Sequence, residues 1–254
     1  DYNDINSLKY LFNKFRNKVA CVIMEPMSKL KPYPGFLNDV KKITHKNNAL
    51  LVFDEVVTGF RVDSGGYQKI AKVKPDMSCF SKAMGNGFPI SALVGKREVM
   101  SKSQDIFYSL TFGGETLSLS ASIATLKMID KYDICKRINL NGQRIIDALN
   151  KKIKELNLQD FIFLSGYPGK LIFNFKGKDN IKAETLRIFW IYKLIQNGIL
   201  NNGIQILSYS HNEKIVNKLI KIYSEVLEEI KFKQHSDFFL NKFDNIILNK
   251  DLRK

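Results

Sequence analysis

Apolar residues fall along this chain in two rhythms. Short runs come first: Val19-Ala20-Cys21-Val22-Ile23-Met24, Leu50-Leu51-Val52-Phe53, Met77-Ser78-Cys79-Phe80 and Ile90-Ser91-Ala92-Leu93-Val94. Runs this short, largely without alternation and bounded by turn residues, predict strands; the first two read as buried on both faces. Between them the spacing is helical. Leu8, Leu11, Phe12 and Phe15 share one face of a polar helix within residues 1–18, and Leu37, Val40 and Ile43 one face of a helix over 36–47. A shorter helix is expected around 67–72, and Pro32, Pro34 and Gly35, then Gly59, Gly65 and Gly66, then Gly85, Gly87 and Pro89 mark the loops. Strands joined by helical crossovers imply a mainly parallel α/β sheet. Such a sheet binds ligands outside the carboxyl ends of its strands. Here those ends carry Glu25, Asp54 and Lys82.

Residues 115–131 read as a long helix carrying Leu117, Ala121, Ala124, Leu126 and Met128. The pattern then changes. An amphipathic helix over 137–157 (Ile138, Ile145, Leu149, Ile153, Leu156) precedes short strands at 161–164 and 170–175 and a helix over 184–197 stopped by Gly198. A strand at 203–209 and a helix over 213–231, striped by Ile215, Leu219, Ile222, Val226 and Ile230, complete the pattern. The expected organisation is a first domain over 1–131 and a smaller α+β domain over 132–254, in which 232–254 show no period.

Composition narrows the function classes. With 254 residues and 44% hydrophobic side chains the chain can bury a core. No apolar run reaches the roughly 18 residues of a membrane span. The start at Asp1, without Met or a secretory pattern, is expected of a processed chain or the later part of a longer one. Cys21, Cys79 and Cys135 make no C-x-x-C pair, so neither a disulfide framework nor a metal site is expected. Cys21 and Cys79 read as small buried hydrophobes, and the usage fits a reducing cytoplasm. The net charge of +15 is mostly lysine spread along the chain, with no basic stripe interleaved with aromatics. It reads as solubility rather than nucleic-acid binding.

Two residues carry the chemistry. Lys82 follows a strand and opens a Gly-rich loop, so a rigid element holds its amine toward the ligand crevice. Such an amine can form a Schiff base with an aldehyde, although a surface lysine would look the same in isolation. Asp54 closes a different buried strand, and a carboxylate there needs a cationic or donor partner. A pyridinium nitrogen would serve, through a charge-assisted hydrogen bond. A helix cap or a structural ion pair is the alternative. A lysine Schiff base with an aspartate on the ring nitrogen is the protein's share of pyridoxal-phosphate chemistry. Thr111, ahead of Gly113 and Gly114, could hold phosphate oxygens with the glycine N–H groups, or form a plain helix-entry turn.

Three segments resemble one family. Val22-Ile23-Met24-Glu25-Pro26, Leu51-Val52-Phe53-Asp54-Glu55-Val56-Val57-Thr58-Gly59-Phe60-Arg61 and Pro75-Asp76-Met77-Ser78-Cys79-Phe80-Ser81-Lys82-Ala83-Met84-Gly85-Asn86-Gly87-Phe88-Pro89 are similar, in order and interval, to class III pyridoxal-phosphate aminotransferases. Within that family the likeness is greatest to glutamate-1-semialdehyde 2,1-aminomutase-like proteins. It is dense over 1–130 and looser to about 231.

The resemblance implies the aspartate-aminotransferase-like fold, type I of the pyridoxal-phosphate transferases, as a partial large-domain sheet plus a C-terminal small domain. It implies amino-group transfer on a small-molecule amino donor or acceptor. By resemblance, Lys82 is the Schiff-base lysine and proton carrier, and Asp54 the partner of the pyridine nitrogen. Val56 is the apolar residue on a ring face, and Thr111 the threonine reaching the cofactor phosphate of a neighbouring subunit, hence a homodimer with shared sites. Glu55 and Arg61 belong to the motif as a structural ion pair for each, and Glu25 stands near the site or anchors a loop. His45 and His211 read as surface residues, and His235 matches no catalytic role.

Family members carry a long stretch ahead of the point matching Asp1, which supplies the phosphate cradle and the stacking aromatic. Gly114-Glu115-Thr116 also stands where the aminomutase commonly has Gly-Asn-Pro. The alternative function is a non-catalytic fragment that pairs with a partner subunit.

Overall fold

The computed structural model describes residues 1–107, 109–178, 181–233 and 239. The chain divides into two compact units, Asp1–Lys136 and Arg137–Lys254.

In the first unit, β1 (Cys21–Met24), β2 (Leu50–Asp54), β3 (Met77–Phe80) and β4 (Ala92–Gly95) form one sheet in that order. β1, β2 and β3 run parallel, in register Met24↔Phe53 and Asp54↔Cys79. β4 departs from the parallel pattern and pairs antiparallel with β3, Phe80 facing Ala92. The loop between them is too short for the crossover a parallel strand needs.

Helices α1 (Ile5–Lys14), α2 (Phe36–Lys46) and α3 (Tyr67–Ala71) precede β1, β2 and β3. Asp4 caps α1 by accepting the N–H groups of Asn6 and Ser7. Phe36, Leu37 and Val40 of α2 meet Leu51 and Phe53 in a buried cluster that includes Val73. Each such side chain, fully withdrawn from water, stabilises the unit by about 1.5–3 kcal/mol.

The opposite sheet face is covered only in part: Val52 is buried there, while the edge strands β1 and β4 lie open. Register partners share a face, so Cys21, Ile23, Asp54, Cys79 and Leu93 lie together there. Ile23 is 63% and Leu93 49% exposed. Two sequence expectations fail for this reason. β1 alternates between exposed and half-buried positions instead of being buried on both faces, and Cys21 is exposed. Both were inferred from apolar runs, which report what a strand can bury and not what covers it. Cys79 is half-buried and Cys135 buried. The stripe on α1 is likewise half covered: Phe12 is buried while Leu11 and Phe15 are exposed.

Two short helical pieces, α4 (Arg97–Met100) and a 3-10 turn at Ser101–Asp105, lead to α5 (Thr116–Lys131). α6 (Ile134–Glu155) continues into the second unit. There β5 (Ile162–Tyr167), β6 (Lys170–Phe175) and β7 (Ile204–Ile206) form an antiparallel sheet. α7 (Ala183–Gln196) packs on β6 and on α8 (Glu213–Lys233). Trp190 stacks on Tyr223 with ring centres 5.4 Å apart, and Phe173 closes on both. Ile215, placed on the buried stripe of α8 by its spacing, is exposed, and Val216 takes that place. His235, and 234–254 apart from Phe239, lie outside the described residues. Among the described residues no helix is long and apolar enough to cross a membrane.

Candidate functional site

Asp54 is the last residue of β2 and pairs in register with Cys79, three residues before Lys82. The two chemistry-bearing residues therefore leave adjacent parallel strands at the same, carboxyl, end. Asp54 is half-buried on the partly covered face. One oxygen, Oδ1, accepts the Val56 N–H at 2.9 Å. No cation pairs with Asp54 among the described residues, so its carboxylate keeps acceptor capacity for a ligand donor. Its charge is felt next door: burial, then the Asp54 carboxylate, raise the Cys79 thiol above its ordinary pKa.

Lys82 opens a one-turn 3-10 helix, Lys82–Met84, and its side chain is exposed. Its φ of 45° lies in the left-handed region. That conformation costs a non-glycine residue about 1–2 kcal/mol. Six of the nine such residues here are Asn or Asp, which tolerate it; Phe60, Lys72 and Lys82 are the others. Strain of this kind persists when the surroundings over-determine it. Here the Lys82 carbonyl accepts the N–H groups of Gly85 and Asn86, both at 3.1 Å, and Ser81 Oγ donates to the Ile90 carbonyl at 2.7 Å. Among the described residues the Lys82 amine has no ion-pair or hydrogen-bond partner. It is not a salt-bridging surface lysine.

The segment between the two is the Asp-Glu-Val-Val-Thr-Gly-Phe-Arg motif. Glu55 is fully buried, Val56 half-buried, and Phe60 packs on Phe80 with ring centres 5.4 Å apart. Gly59 is obligatory: a Cβ there would lie 2.4 Å from the Phe80 ring. Among the described residues no cation makes the ion pair expected for Glu55; hydrogen bonds from Thr58, Tyr67 and Gln68 take its place. The spacing of charged residues could not reveal that, because two of these donors are backbone amides.

Thr111 stands apart from this pair. It lines an open cavity of about 740 Å³ with Ser81, Met84, Ile90 and Gly114, to which Asp54 and Lys82 do not contribute. The donors expected beside it are partly taken. The Gly113 N–H bonds the Leu110 carbonyl at 3.0 Å. The Glu115 carboxylate accepts the N–H groups of Leu117 at 2.6 Å and Ser118 at 2.7 Å, capping α5 from within. These bonds, that from Ser118 foremost, lower the Glu115 pKa. Glu25, at the end of β1, is half-buried.

A second buried carboxylate escaped the sequence reading. Asp76 accepts the Leu51 N–H at 2.7 Å, pairs with Lys96 at 2.7 Å, and bonds His45 at 2.8 Å. It ties β2, β4 and α2 at the entry of β3, at the end of the sheet away from Lys82. Its role is support. Among the described residues no cluster of His, Cys, Asp and Glu could hold a metal ion.

The aminotransferase class-III family model matches residues 2–221. Similar proteins include the glutamate-1-semialdehyde 2,1-aminomutases of Methanocaldococcus jannaschii (31% identical over 248 residues, 91% of this chain and 58% of that protein) and Archaeoglobus fulgidus (32% over 243 residues, 89% and 57%). The chain thus spans under two thirds of the length of these relatives. Among solved structures it is similar to FumI of Sphingopyxis sp. MTA144 in its PLP internal aldimine form (TM-score 0.81, 23% identity, 93% of this chain and 57% of that one). It is also similar to an omega-transaminase of Sphaerobacter thermophilus (TM-score 0.79, 22% identity, 89% and 56%). These likenesses establish the fold as the type I fold of the pyridoxal-phosphate transferases, present here as a partial large-domain sheet, mostly parallel, with a smaller α+β unit. With its motif residues at the strand ends and the family match running from residue 2 to residue 221, the chain belongs to the class III aminotransferases.

Proposed function

We propose that this chain carries the lysine-bearing part of a pyridoxal-phosphate-dependent site for amino-group transfer, of the aminotransferase or glutamate-1-semialdehyde 2,1-aminomutase kind. The observation that carries the reading is the pair Asp54 and Lys82, which leave adjacent parallel strands at one end with no cation or anion of the described residues satisfying either. A group with an aldehyde at one end and a basic ring nitrogen at the other fits that donor set. When bound, pyridoxal phosphate supplies the aldehyde and an electron-accepting ring.

The protein's own residues divide the work. The Lys82 amine would hold the cofactor through its aldehyde, and once free it could serve as the site's general acid–base. The Asp54 carboxylate, oriented by the Val56 N–H, keeps a proton on the ring nitrogen through a charge-assisted bond. The Val56 side chain would pack on a ring face. Residues 1–131 would form the partial cofactor-binding domain and 132–254 the small domain, a division that the two compact units Asp1–Lys136 and Arg137–Lys254 support.

The Thr111 hydroxyl would reach a phosphate oxygen in the site of a second copy, in a homodimer with shared sites. The surface around Thr111 supports this. Phe107 is 95%, Leu110 66% and Phe112 69% exposed, an apolar stretch that water disfavours. The substrate is a small-molecule amino donor or acceptor, and three cysteines joined by no disulfide suit a cytoplasmic setting.

The test is chemical. The natural protein is loaded with pyridoxal phosphate, reduced with borohydride and digested. The peptide containing Lys82 is expected to carry the mass of the reduced cofactor, and Lys82→Ala to abolish it. Folded protein with no label at Lys82 would defeat the proposal.

A further inference from the structure

Glu55 is a buried carboxylate that the proposed chemistry does not use. It is 0% exposed and has no cation beside it among the described residues. Three neutral donors hold it instead: the Thr58 hydroxyl, and the N–H groups of Tyr67 and Gln68, each at 2.8 Å. A charge without such bonds would not stay buried. The chain leaves Glu55, runs through the motif loop, and returns at α3 to close on this one side chain. Gly66 permits the return, for a Cβ there would lie 2.6 Å from the Glu55 carboxylate carbon.

The backbone of Glu55 is pinned as well. Its N–H donates to the Cys79 carbonyl at 2.9 Å, carrying the β2–β3 pairing one residue past Asp54. Its carbonyl accepts the Gly59 N–H at 2.7 Å. Val56, whose N–H orients Asp54, lies inside this closed loop. Gln68 Nε2 donates to Ser78 Oγ at 3.1 Å, which ties α3 to β3, the strand that leads to Lys82.

We infer that Glu55 is a positioning residue: its carboxylate locks residues 56–68 into the loop that presents the Val56 N–H to Asp54 and holds the Asp54 end of β2 against the strand leading to Lys82. The inference rests on the function proposed above. It acts through Asp54 and touches no reacting atom. Charge and shape are both required. Glutamine keeps one acceptor oxygen and sets an NH2 group against a backbone N–H, two donors facing each other. Thr58→Val removes one donor and leaves the charge in place.

The experiment compares the natural protein with Glu55→Gln and Thr58→Val by two readouts. The first is amide exchange without cofactor at Val56, Tyr67 and Gln68. The second is the pH midpoint at which the visible absorbance of bound pyridoxal phosphate changes, with Asp54→Asn as reference. Losing a bond to a charged group should speed exchange at Tyr67, Gln68 and also Val56 by about tenfold or more. Both variants should move the pH midpoint in the direction that Asp54→Asn moves it. Faster exchange at Tyr67 and Gln68, with Val56 and the midpoint unchanged, would reduce Glu55 to an anchor of α3 and overturn the inference. Should Glu55→Gln not fold, Thr58→Val decides by the same readouts. If wild-type protein takes up no pyridoxal phosphate, the proposed function falls alone, because the exchange arm reads Val56 without the cofactor.

Discussion

Asp76 should contribute a large share of the first unit's stability, and the contribution should vanish in acid. Its side chain is 3% exposed. Burial by itself would raise its pKa. The bonds from Lys96, the Leu51 N–H and His45, with the attraction of His45, outweigh burial and hold it at about 2, against an ordinary 3.8. A depression of that size corresponds to about 2.5 kcal/mol of stability. The sign follows from the direction. The unfolded carboxyl takes its proton first, so the contribution is complete above about pH 4 and is lost as pH falls toward 2. Asp76→Asn keeps the shape but sets an amide NH2 against the Lys96 ammonium, so it should lose about the same amount at pH 7.

The chain's single tryptophan, Trp190, lies in the second unit and would report on the wrong half. The assay is therefore amide exchange on β2 and β3, corrected for the intrinsic pH dependence of exchange. At pH 7 the variant should exchange about sixtyfold faster than wild type at the protected amides of these strands. Between pH 4 and pH 2 the ratio should shrink toward one. A ratio near one already at pH 7, or one that does not contract in acid, would refute the reasoning.

Two further expectations concern the second unit, where Trp190 fluorescence does report. Gly142 of α6 has no room for a side chain, since a Cβ would lie 1.7 Å from the Pro168 carbonyl oxygen. Gly142→Ala should therefore destabilise by about 2 kcal/mol, overpacking outweighing the roughly 1 kcal/mol that alanine adds to a helix; an unchanged urea midpoint would contradict the close approach. Tyr223 is fully buried and donates to Gln205 Oε1 at 2.6 Å, and burial pushes its pKa well above the usual 10. Tyr223→Phe should cost about 1 kcal/mol at pH 7. Wild type should lose stability as pH rises above about 10, where only the unfolded hydroxyl ionises freely, and the variant should lose less; equal alkaline sensitivity would count against the buried hydroxyl.

Much of this protein could be read from local pattern alone. The runs at Leu50–Asp54 and Met77–Phe80, and the helices Phe36–Lys46 and Glu213–Lys233, announce themselves because periodicity of burial is written residue by residue. A charge that ends an apolar strand, as Asp54 does, is anomalous within a few residues of sequence, whereas Lys82 taken alone reads like any surface lysine. What tertiary structure decided is what depends on a distant neighbour. Whether β1 is covered, and whether Cys21 sees water, follows from what lies across the sheet. β4 reverses direction because of a loop geometry that its own residues do not encode. Lys82 takes a left-handed backbone because Gly85, Asn86 and Ile90 hold it there. Glu55 and Asp76 look in sequence like any solvated carboxylate. Of their donors, Tyr67, Gln68, Leu51 and Lys96 stand 12 to 25 residues away and His45 stands 31, and these meet them only when the chain folds back. A sequence displays which groups can bond; the fold decides which of them lose water and must.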